Sequence, residues 1–182
     1  MPTTSPLTAP RAIAVLNRAL DQAGDVLADV RRDDLDKPTP CADWNVRRLV
    51  EHLLAGPPRF VAMIKGEQTD WSSDPELPKE GWASTFRSEA DDLIHVWHQV
   101  GDDADPAKVD FQTAEFAVHT WDLVRATGQQ RTLDTEVAER GLALLSVSLT
   151  DENRGDVFGA PVDIDDDAPV YDRLAAFAGR TP

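Results

Sequence analysis

A glutamate and a histidine lie four positions apart in this sequence, at Glu115 and His119. In a helix, residues at this spacing lie on one face, so a carboxylate oxygen and an imidazole nitrogen stand side by side. Both groups are common ligands of a divalent ion such as zinc. Asp122 follows three positions later and falls within an arc of about 60° with the other two, at about 100° per residue. This spacing indicates a helix face that could bind a metal.

The segment around this pair is apolar on nearly every side, a pattern typical of a buried helix: Phe116, Ala117, Val118, Trp121, Leu123 and Val124. A buried, unpaired carboxylate is costly, so Glu115 is expected to pair, to be protonated or to bind a metal. Two interpretations stay open, a metal site and a Glu–His hydrogen-bonded pair that locks the helices together. Asp122 could be a fourth ligand, or an acceptor that orients an imidazole or holds Arg125.

A second histidine, His52, lies on another predicted helix, beside the apolar residues Leu49 and Leu53. One helix rarely supplies a complete metal site, and His52 is the best candidate for a ligand from a facing helix. The predicted metal set is therefore His52, Glu115 and His119. Three protein ligands leave an open coordination position, which is typical of catalytic rather than structural sites.

The predicted metal ligands lie on long amphipathic helices joined by short or medium loops. Apolar residues recurring at gaps of three and four predict helices at about 8–31, 44–65, 82–100, 111–127, 134–149 and 169–178. Asp43 is expected to cap the second helix, and Gly56-Pro57-Pro58 to kink or break it. No segment shows convincing strand alternation. The pattern predicts an all-α helical bundle that forms a single domain over residues 1–182.

The composition narrows the classes of partner. Thirty-three acidic residues against 18 basic ones give a net charge of -15, which disfavours nucleic acid and anionic membrane surfaces. The single cysteine permits no intramolecular disulfide, and neither a secretory signal nor a spanning segment is apparent. We therefore expect a soluble, cytoplasmic protein that acts on small molecules. An exposed helix face could also support a homodimer.

Several other residues have weaker claims to a role. Trp121 and Arg125, one helical step from the predicted ligands, are candidate cofactor or substrate contacts, and Arg47 is a further candidate anion contact. Cys41 precedes a predicted helix N-terminus, where a thiolate is favoured, but no obvious base is nearby in the sequence, so a packing or loop role is expected. His95 and His98 share a face directed away from the apolar stripe, so a surface location is expected. No catalytic residue can be assigned from these patterns.

Three ordered segments resemble one known family. They are TPCADWNVRRLVEHL, which ends on His52 and a leucine; AEFAVHTWDLVRATG, which contains Glu115 and His119; and DRLAAFAGR, near the end of the chain. The family is an actinobacterial group related to the N-terminal domain of mycothiol-dependent maleylpyruvate isomerase, within the DinB-like superfamily. The resemblance implies a DinB-like four-helix bundle with an additional C-terminal helical segment. It further implies a divalent ion, most often zinc although nickel or another ion would fit, on His52, Glu115 and His119, with mycothiol as cosubstrate.

One departure from this family bears on activity. The isomerase has an additional C-terminal domain that contributes a basic residue to catalysis, and this sequence ends at Pro182, so maleylpyruvate isomerisation is not expected. The leading hypothesis is a metal-dependent enzyme that joins a small thiol to an electrophilic substrate by transferase or isomerase-like chemistry. The alternatives are a non-catalytic module that binds a metal or ligand in a stress response, and a purely structural bundle with a buried Glu–His network.

Overall fold

The structure is a computed structural model that describes residues 8–154 and 158–182. Within these residues it contains six α-helices and no β-strand: α1 (Ala9–Ala28), α2 (Val46–Ile64), α3 (Trp82–Val100), α4 (Pro106–Thr127), α5 (Thr135–Ser148) and α6 (Val170–Phe177). Short 3₁₀ turns follow α1 and α3, at Arg32–Asp34 and Gly101–Asp103. No helix in this part of the chain is long and apolar enough to cross a bilayer. The predicted all-helical class is confirmed.

The first four helices form a bundle in which α1 and α2 each pack against both α3 and α4. Helix α5 lies along α4, and α6 packs against α5 and α4. The last two helices therefore cover the side of α4 that the bundle leaves open. This arrangement explains why α4 is apolar nearly all round, since a helix enclosed on every side has no solvated face. The fold is a DinB-like helical bundle with extra C-terminal helices, as predicted.

Helix α4 begins five residues earlier than the predicted boundary at residue 111. Asp105 caps it, accepting a hydrogen bond from the backbone N–H of Ala107 at 3.0 Å, and Pro106 occupies the first turn. This Asp-Pro start is a known helix signal, but the acidic residues before it favoured a loop in the sequence. The C-terminal end agrees with the prediction, because Gly128 adopts the left-handed conformation, φ 69°, that ends the helix.

The start and middle of α2 differ from the prediction. Asn45, not Asp43, is the cap: its side chain accepts from the backbone N–H of Arg48 at 3.0 Å, while Asp43 has a φ of 65° in the preceding turn. The helix also continues through Pro57 and Pro58, so, of the kink or break predicted there, the break does not occur. Packing overrides the local preference here, because Leu53 to Pro57 are all buried in the bundle.

The C-terminal segment is pinned by a contact between two glycines. A Cβ placed on Gly179, which has a φ of +85°, would lie 2.5 Å from the Cα of Gly159. The Arg154 guanidinium adds hydrogen bonds to the carbonyl oxygens of Gly159, at 3.1 Å, and Phe177, at 2.7 Å. Gly179 thus allows two backbone segments to touch, and it immediately precedes Arg180, whose side chain points back into the bundle.

Replacement of Gly179 by alanine tests whether this contact holds the C-terminal segment. Gly179→Ala should lower the free energy of unfolding by about 2 kcal/mol or more, because it combines left-handed strain with steric overlap. Gly128→Ala is the matched control: its φ is similarly positive, but no atom lies within 4 Å of the added Cβ, so it should cost about 1 kcal/mol. Urea denaturation of both variants measures the difference. Equal losses would contradict the proposed contact.

Candidate metal centre

The three predicted ligands meet in the interior between α2 and α4. His52 Nε2 lies 2.8 Å from Glu115 Oε1, and His119 Nε2 lies 3.2 Å from the same oxygen. The two imidazole ring centroids are 4.9 Å apart. One ligand atom from each of the three residues lies within 4.8 Å of the other two. The structure therefore brings together a pair from one helix and a histidine from another, as the sequence predicted.

Close packing of α2 against α4 makes this meeting possible. The Phe116 ring sits against Gly56, where an added Cβ would be 3.2 Å from the ring carbon Cε1. His52 lies one helical turn before Gly56, and Glu115 immediately precedes Phe116. The small residue on α2 therefore sets the distance at which the two ligand-bearing turns face each other.

The far side of the His119 ring is held by a buried ion pair. Its Nδ1 faces Asp122 Oδ2 at 3.2 Å, and the Arg180 guanidinium donates to both carboxylate oxygens of Asp122, at 3.2 and 3.0 Å. Asp122 thus takes the position of the orienting acceptor considered from the sequence, but the arginine it holds is Arg180, not Arg125. Helical spacing could not find Arg180, which is 58 residues away. Its place in the C-terminal motif was the available signal.

The far side of the His52 ring has a similar arrangement. Its Nδ1 lies 3.7 Å from Asp74 Oδ1, and Arg59 donates to that same oxygen at 2.6 Å and also to the carbonyl of Ser73. Asp74 lies in the segment between α2 and α3, for which the sequence predicted only a connecting loop. Each histidine therefore directs Nε2 towards Glu115 and Nδ1 towards a carboxylate paired with an arginine. Metal-bound histidines in proteins are commonly oriented in this way.

Charge in the site is balanced within the cluster. Burial alone raises the pKa of Glu115, but the hydrogen bonds and charges of His119 and His52 hold it well below its usual range. Burial alone lowers the pKa of His119, yet Glu115 and Asp122 outweigh it and raise this pKa to about 9. Without a metal, His119 therefore carries a proton near neutral pH. A cation that binds its Nε2 must displace that proton.

The donor set fits a divalent ion. Two ligand atoms about 2.1 Å from one ion at a tetrahedral angle lie ~3.4 Å apart, close to the distances from Glu115 to the two histidines. A second grouping, Cys41 with His119 and Asp122, is also compact. It fits less well for two reasons. Asp122 is already paired with Arg180, and burial raises the pKa of Cys41 to about 11, which disfavours the thiolate that a metal would bind. The raised pKa keeps Cys41 a thiol at neutral pH, in agreement with the packing or loop role expected from the sequence.

The candidate site opens into a cavity of about 1080 Å³, lined by all three predicted ligands. The Trp44 ring stacks on His119, with centroids 5.7 Å apart and planes at 11°, and meets His52 edge-on at 4.8 Å. The Arg48 guanidinium lies over the Trp44 ring, 4.8 Å from its centroid. A small molecule in the cavity can therefore reach Glu115 and both imidazoles.

The structure does not bring the predicted cofactor contacts Trp121 and Arg125 to this cavity. The Trp121 indole is buried and donates to Asp172 Oδ1 at 2.9 Å, which ties α4 to α6. The Arg125 guanidinium lies over the outer face of that indole, 5.3 Å from its centroid. Arg47, in contrast, does line the cavity. His95 is exposed, as expected, and its ring contacts Gln99 on the same helix.

The fold and the site together place this chain among helical-bundle proteins with a candidate metal site. Two histidines and a glutamate from two core helices form that site. Comparison with known proteins gives the family. The sequence model of one family, the mycothiol maleylpyruvate isomerase N-terminal domain, matches residues 16–124. The chain therefore belongs to this family. Two uncharacterized proteins of Mycobacterium tuberculosis, one from each of two strains, are 30% identical to it over 181 residues, covering 90% of this chain and 94% of the relative. No solved structure shows a significant match.

The pH dependence of stability tests the charge balance of the cluster. The raised pKa of His119, about 9 against the ordinary 6.5, means that the folded state binds more protons than the unfolded state between these values. This stabilising contribution is complete below about pH 6.5 and is lost as the pH rises through 9. Over this pH range, the free energy of unfolding of the metal-free protein should therefore fall by on the order of 1–3 kcal/mol more than that of His119→Gln. Urea denaturation in a chelating buffer measures it, and parallel curves for the two proteins would refute the ion pair.

Proposed function

We propose that this protein binds one divalent metal ion, preferentially zinc, through His52, Glu115 and His119, and uses it to activate a small thiol. The observation that supports this most strongly is the orientation of the two imidazoles. Both present Nε2 to one carboxylate, and both have Nδ1 turned to a carboxylate that an arginine holds. Nickel or another divalent ion would use the same donors.

The role of each side chain follows from its contacts. His52 and His119 supply neutral nitrogens, and Glu115 supplies the negative charge that a dication requires. Asp122 accepts a hydrogen bond from the Nδ1–H of His119 and thereby fixes the tautomer in which Nε2 is free to bind. A divalent ion held by these three side chains would lower the pKa of a thiol bound to it and so favour the thiolate at neutral pH. Trp44 covers one side of the site and limits the access of water to it.

Mycothiol is the thiol that the family suggests, and an electrophilic small molecule is the second substrate. In an addition reaction, the S–H bond and a π bond or epoxide C–O bond break, the sulfur forms a bond to an electron-poor carbon, and the thiol proton ends on the neighbouring atom of the substrate. With an alkyl halide, the carbon–halogen bond breaks instead, and halide and the thiol proton leave to solvent. No oxidant or reductant is needed. The cavity supports this proposal because its volume, about 1080 Å³, accommodates two small molecules beside the three donors.

The two competing hypotheses use the same residues differently. In a purely structural bundle, the hydrogen bonds from Glu115 to His52 and His119 would be the whole role of the cluster. In a non-catalytic module, the metal would bind but no thiol would react. The concave opening onto all three donors favours a site over a structural lock, since a lock needs no cavity beside it.

Metal content separates the structural hypothesis from the other two. Protein purified without a histidine tag and reconstituted with zinc should hold one ion per chain, and His52→Ala, Glu115→Gln and His119→Ala should each abolish this. Asp122→Asn should weaken zinc binding about 10- to 100-fold by removing the carboxylate behind His119. His95→Ala is the control histidine variant and should retain full metal content. Elemental analysis after dialysis provides the measurement, and equal metal content in all five variants would exclude the proposed site.

Thiol consumption separates an enzyme from a binding module. Zinc-loaded protein should accelerate the loss of free mycothiol in the presence of an electrophile, and His52→Ala should reduce the rate by at least about 100-fold because the thiolate is no longer stabilised. His95→Ala should match the unaltered protein. A panel of electrophiles that includes epoxides, unsaturated carbonyl compounds and alkyl halides should be used. Full metal binding with no turnover across this panel would support the binding module instead.

A further inference from the structure

The large apolar side chains that this fold leaves exposed are concentrated at one place. Among the described residues four such side chains are exposed, and three of them, Met63 at 48%, Trp71 at 41% and Phe111 at 45%, line the cavity beside the candidate metal centre. Complete burial of a large apolar side chain contributes about 1.5–3 kcal/mol, and each of these half-exposed side chains forgoes roughly half of it. Exposed apolar surface gathered in a concave site marks a place that binds an apolar group.

This apolar surface lies on one side of the candidate metal centre, and the cationic surface lies on the other. Along α2, Arg47 and Arg48 precede His52 by about one turn, whereas Met63 follows it by eleven residues, or about 16 Å of helix. Phe111 precedes Glu115 by one turn of α4 and lies beside Phe60, with ring centroids 6.4 Å apart. The donors therefore sit between a polar end and an apolar end of one cavity.

The apolar end continues into a second groove of about 560 Å³. The two spaces share Phe60, Met63 and Phe111, so the half-exposed Met63 and Phe111, together with the small accessible part of the buried Phe60, form a continuous apolar track leading away from the donors. Beyond them the groove is lined by Ile64, Val100 and Leu144, and also by the exposed residues Asp103, Asp105 and Lys108. A group that begins at the metal centre can thus extend along the track without meeting a buried charge.

The polar end has the opposite character. Arg47 and Arg48 line it, and neither guanidinium forms an ion pair with a carboxylate in the part of the chain that the structure describes. In a chain with a net charge of -15, two such arginines side by side are notable. They are available to a polar, hydrogen-bonding or anionic ligand, while Trp44 lies beneath Arg48. The two ends therefore suit two chemically different molecules.

We propose that the electrophilic substrate carries an extended apolar tail, which lies on Phe60, Met63 and Phe111 while the polar thiol occupies the end near Arg48. The assignment of the reacting groups rests on the proposed function, but the apolar track does not. A small-molecule tail is the occupant that the geometry favours, because the track is continuous with the cavity that reaches the donors. A flat surface for a second copy would need no such connection.

A chain-length series of product-like compounds tests this inference without requiring turnover. The probes are S-alkyl thioethers of N-acetylcysteine with ethyl, butyl, hexyl and octyl chains, and calorimetry measures their Kd. Affinity for the unaltered protein should increase by about fourfold per added methylene until the track is filled. Phe111→Ser and Met63→Ser should each reduce this increase to less than twofold per methylene. Both side chains are about half exposed, so these variants should fold.

Val147→Ser is the matched control, because Val147 is 81% exposed on α5 and does not line either space. It should leave the chain-length dependence unchanged. The inference is overturned if the octyl compound does not bind at millimolar concentration, if affinity is independent of chain length, or if all three variants behave alike. It is also overturned if the protein is a dimer that Phe111→Ser dissociates, because the apolar surface would then be an interface between copies.

Metal content, measured on the same samples, keeps the two proposals separate. The serine variants should retain zinc, since neither replaces a donor. Zinc-free protein should keep the chain-length dependence even if its overall affinity is lower. Failure of zinc binding with a preserved dependence would refute the proposed function alone. Preserved zinc binding with no dependence would refute the apolar track alone.

Discussion

The arrangement of this molecule depends on one carboxylate, Glu115, placed between two imidazoles in the interior of a helical bundle. A negative charge in that position is costly unless positive charge or hydrogen-bond donors surround it. His119, from the same helix, and His52, from the facing helix, supply them. The distance between α2 and α4 must therefore be held within a narrow range, and the contact of Gly56 with Phe116 sets it.

Two further ion pairs extend this constraint through the fold. Asp122 and Arg180 connect His119 to the C-terminal tail, and Asp74 and Arg59 connect His52 to the segment after α2. Both arginines are largely buried, so loss of either would leave a carboxylate unpaired next to an imidazole. Elements far apart in sequence thus fix the direction of two nitrogens. Two buried ion pairs that orient the two imidazoles are expected for a site that binds a ligand, whereas a structural hydrogen bond does not require them.

The sequence predicted the helices and the central cluster because both depend on local periodicity. Glu115 and His119 are one turn apart on a helix that is apolar all round, and His52 falls at the margin of an apolar stripe. Arg180 and Asp74 could not be predicted in this way, since they reach the site from a tail and a loop whose paths have no period. Trp121, predicted to contact a cofactor or substrate, does not line the cavity, and the sequence could not show this. Spacing along α4 does not reveal that α6 covers that face.

The kink or break predicted at Gly56-Pro57-Pro58 shows a different limit of prediction from local sequence preferences. Two prolines disfavour a helix in isolation, but burial of the surrounding residues keeps the segment helical. The same glycine that weakens α2 locally allows α4 to approach, so a position that is unfavourable for the helix is required by the site. Sequence periodicity detects the first effect and cannot detect the second.

The most direct test of the central claim is zinc K-edge X-ray absorption on zinc-loaded, thiol-free protein. The account predicts two imidazole nitrogens at about 2.0–2.1 Å and a carboxylate oxygen at about 2.0–2.2 Å, with the remaining position taken by water. His52→Ala should remove one of the two imidazole contributions. A sulfur scatterer at about 2.3 Å would place the ion on Cys41 instead, and a shell of oxygens without imidazole would show that zinc binds elsewhere. Either result would contradict the account.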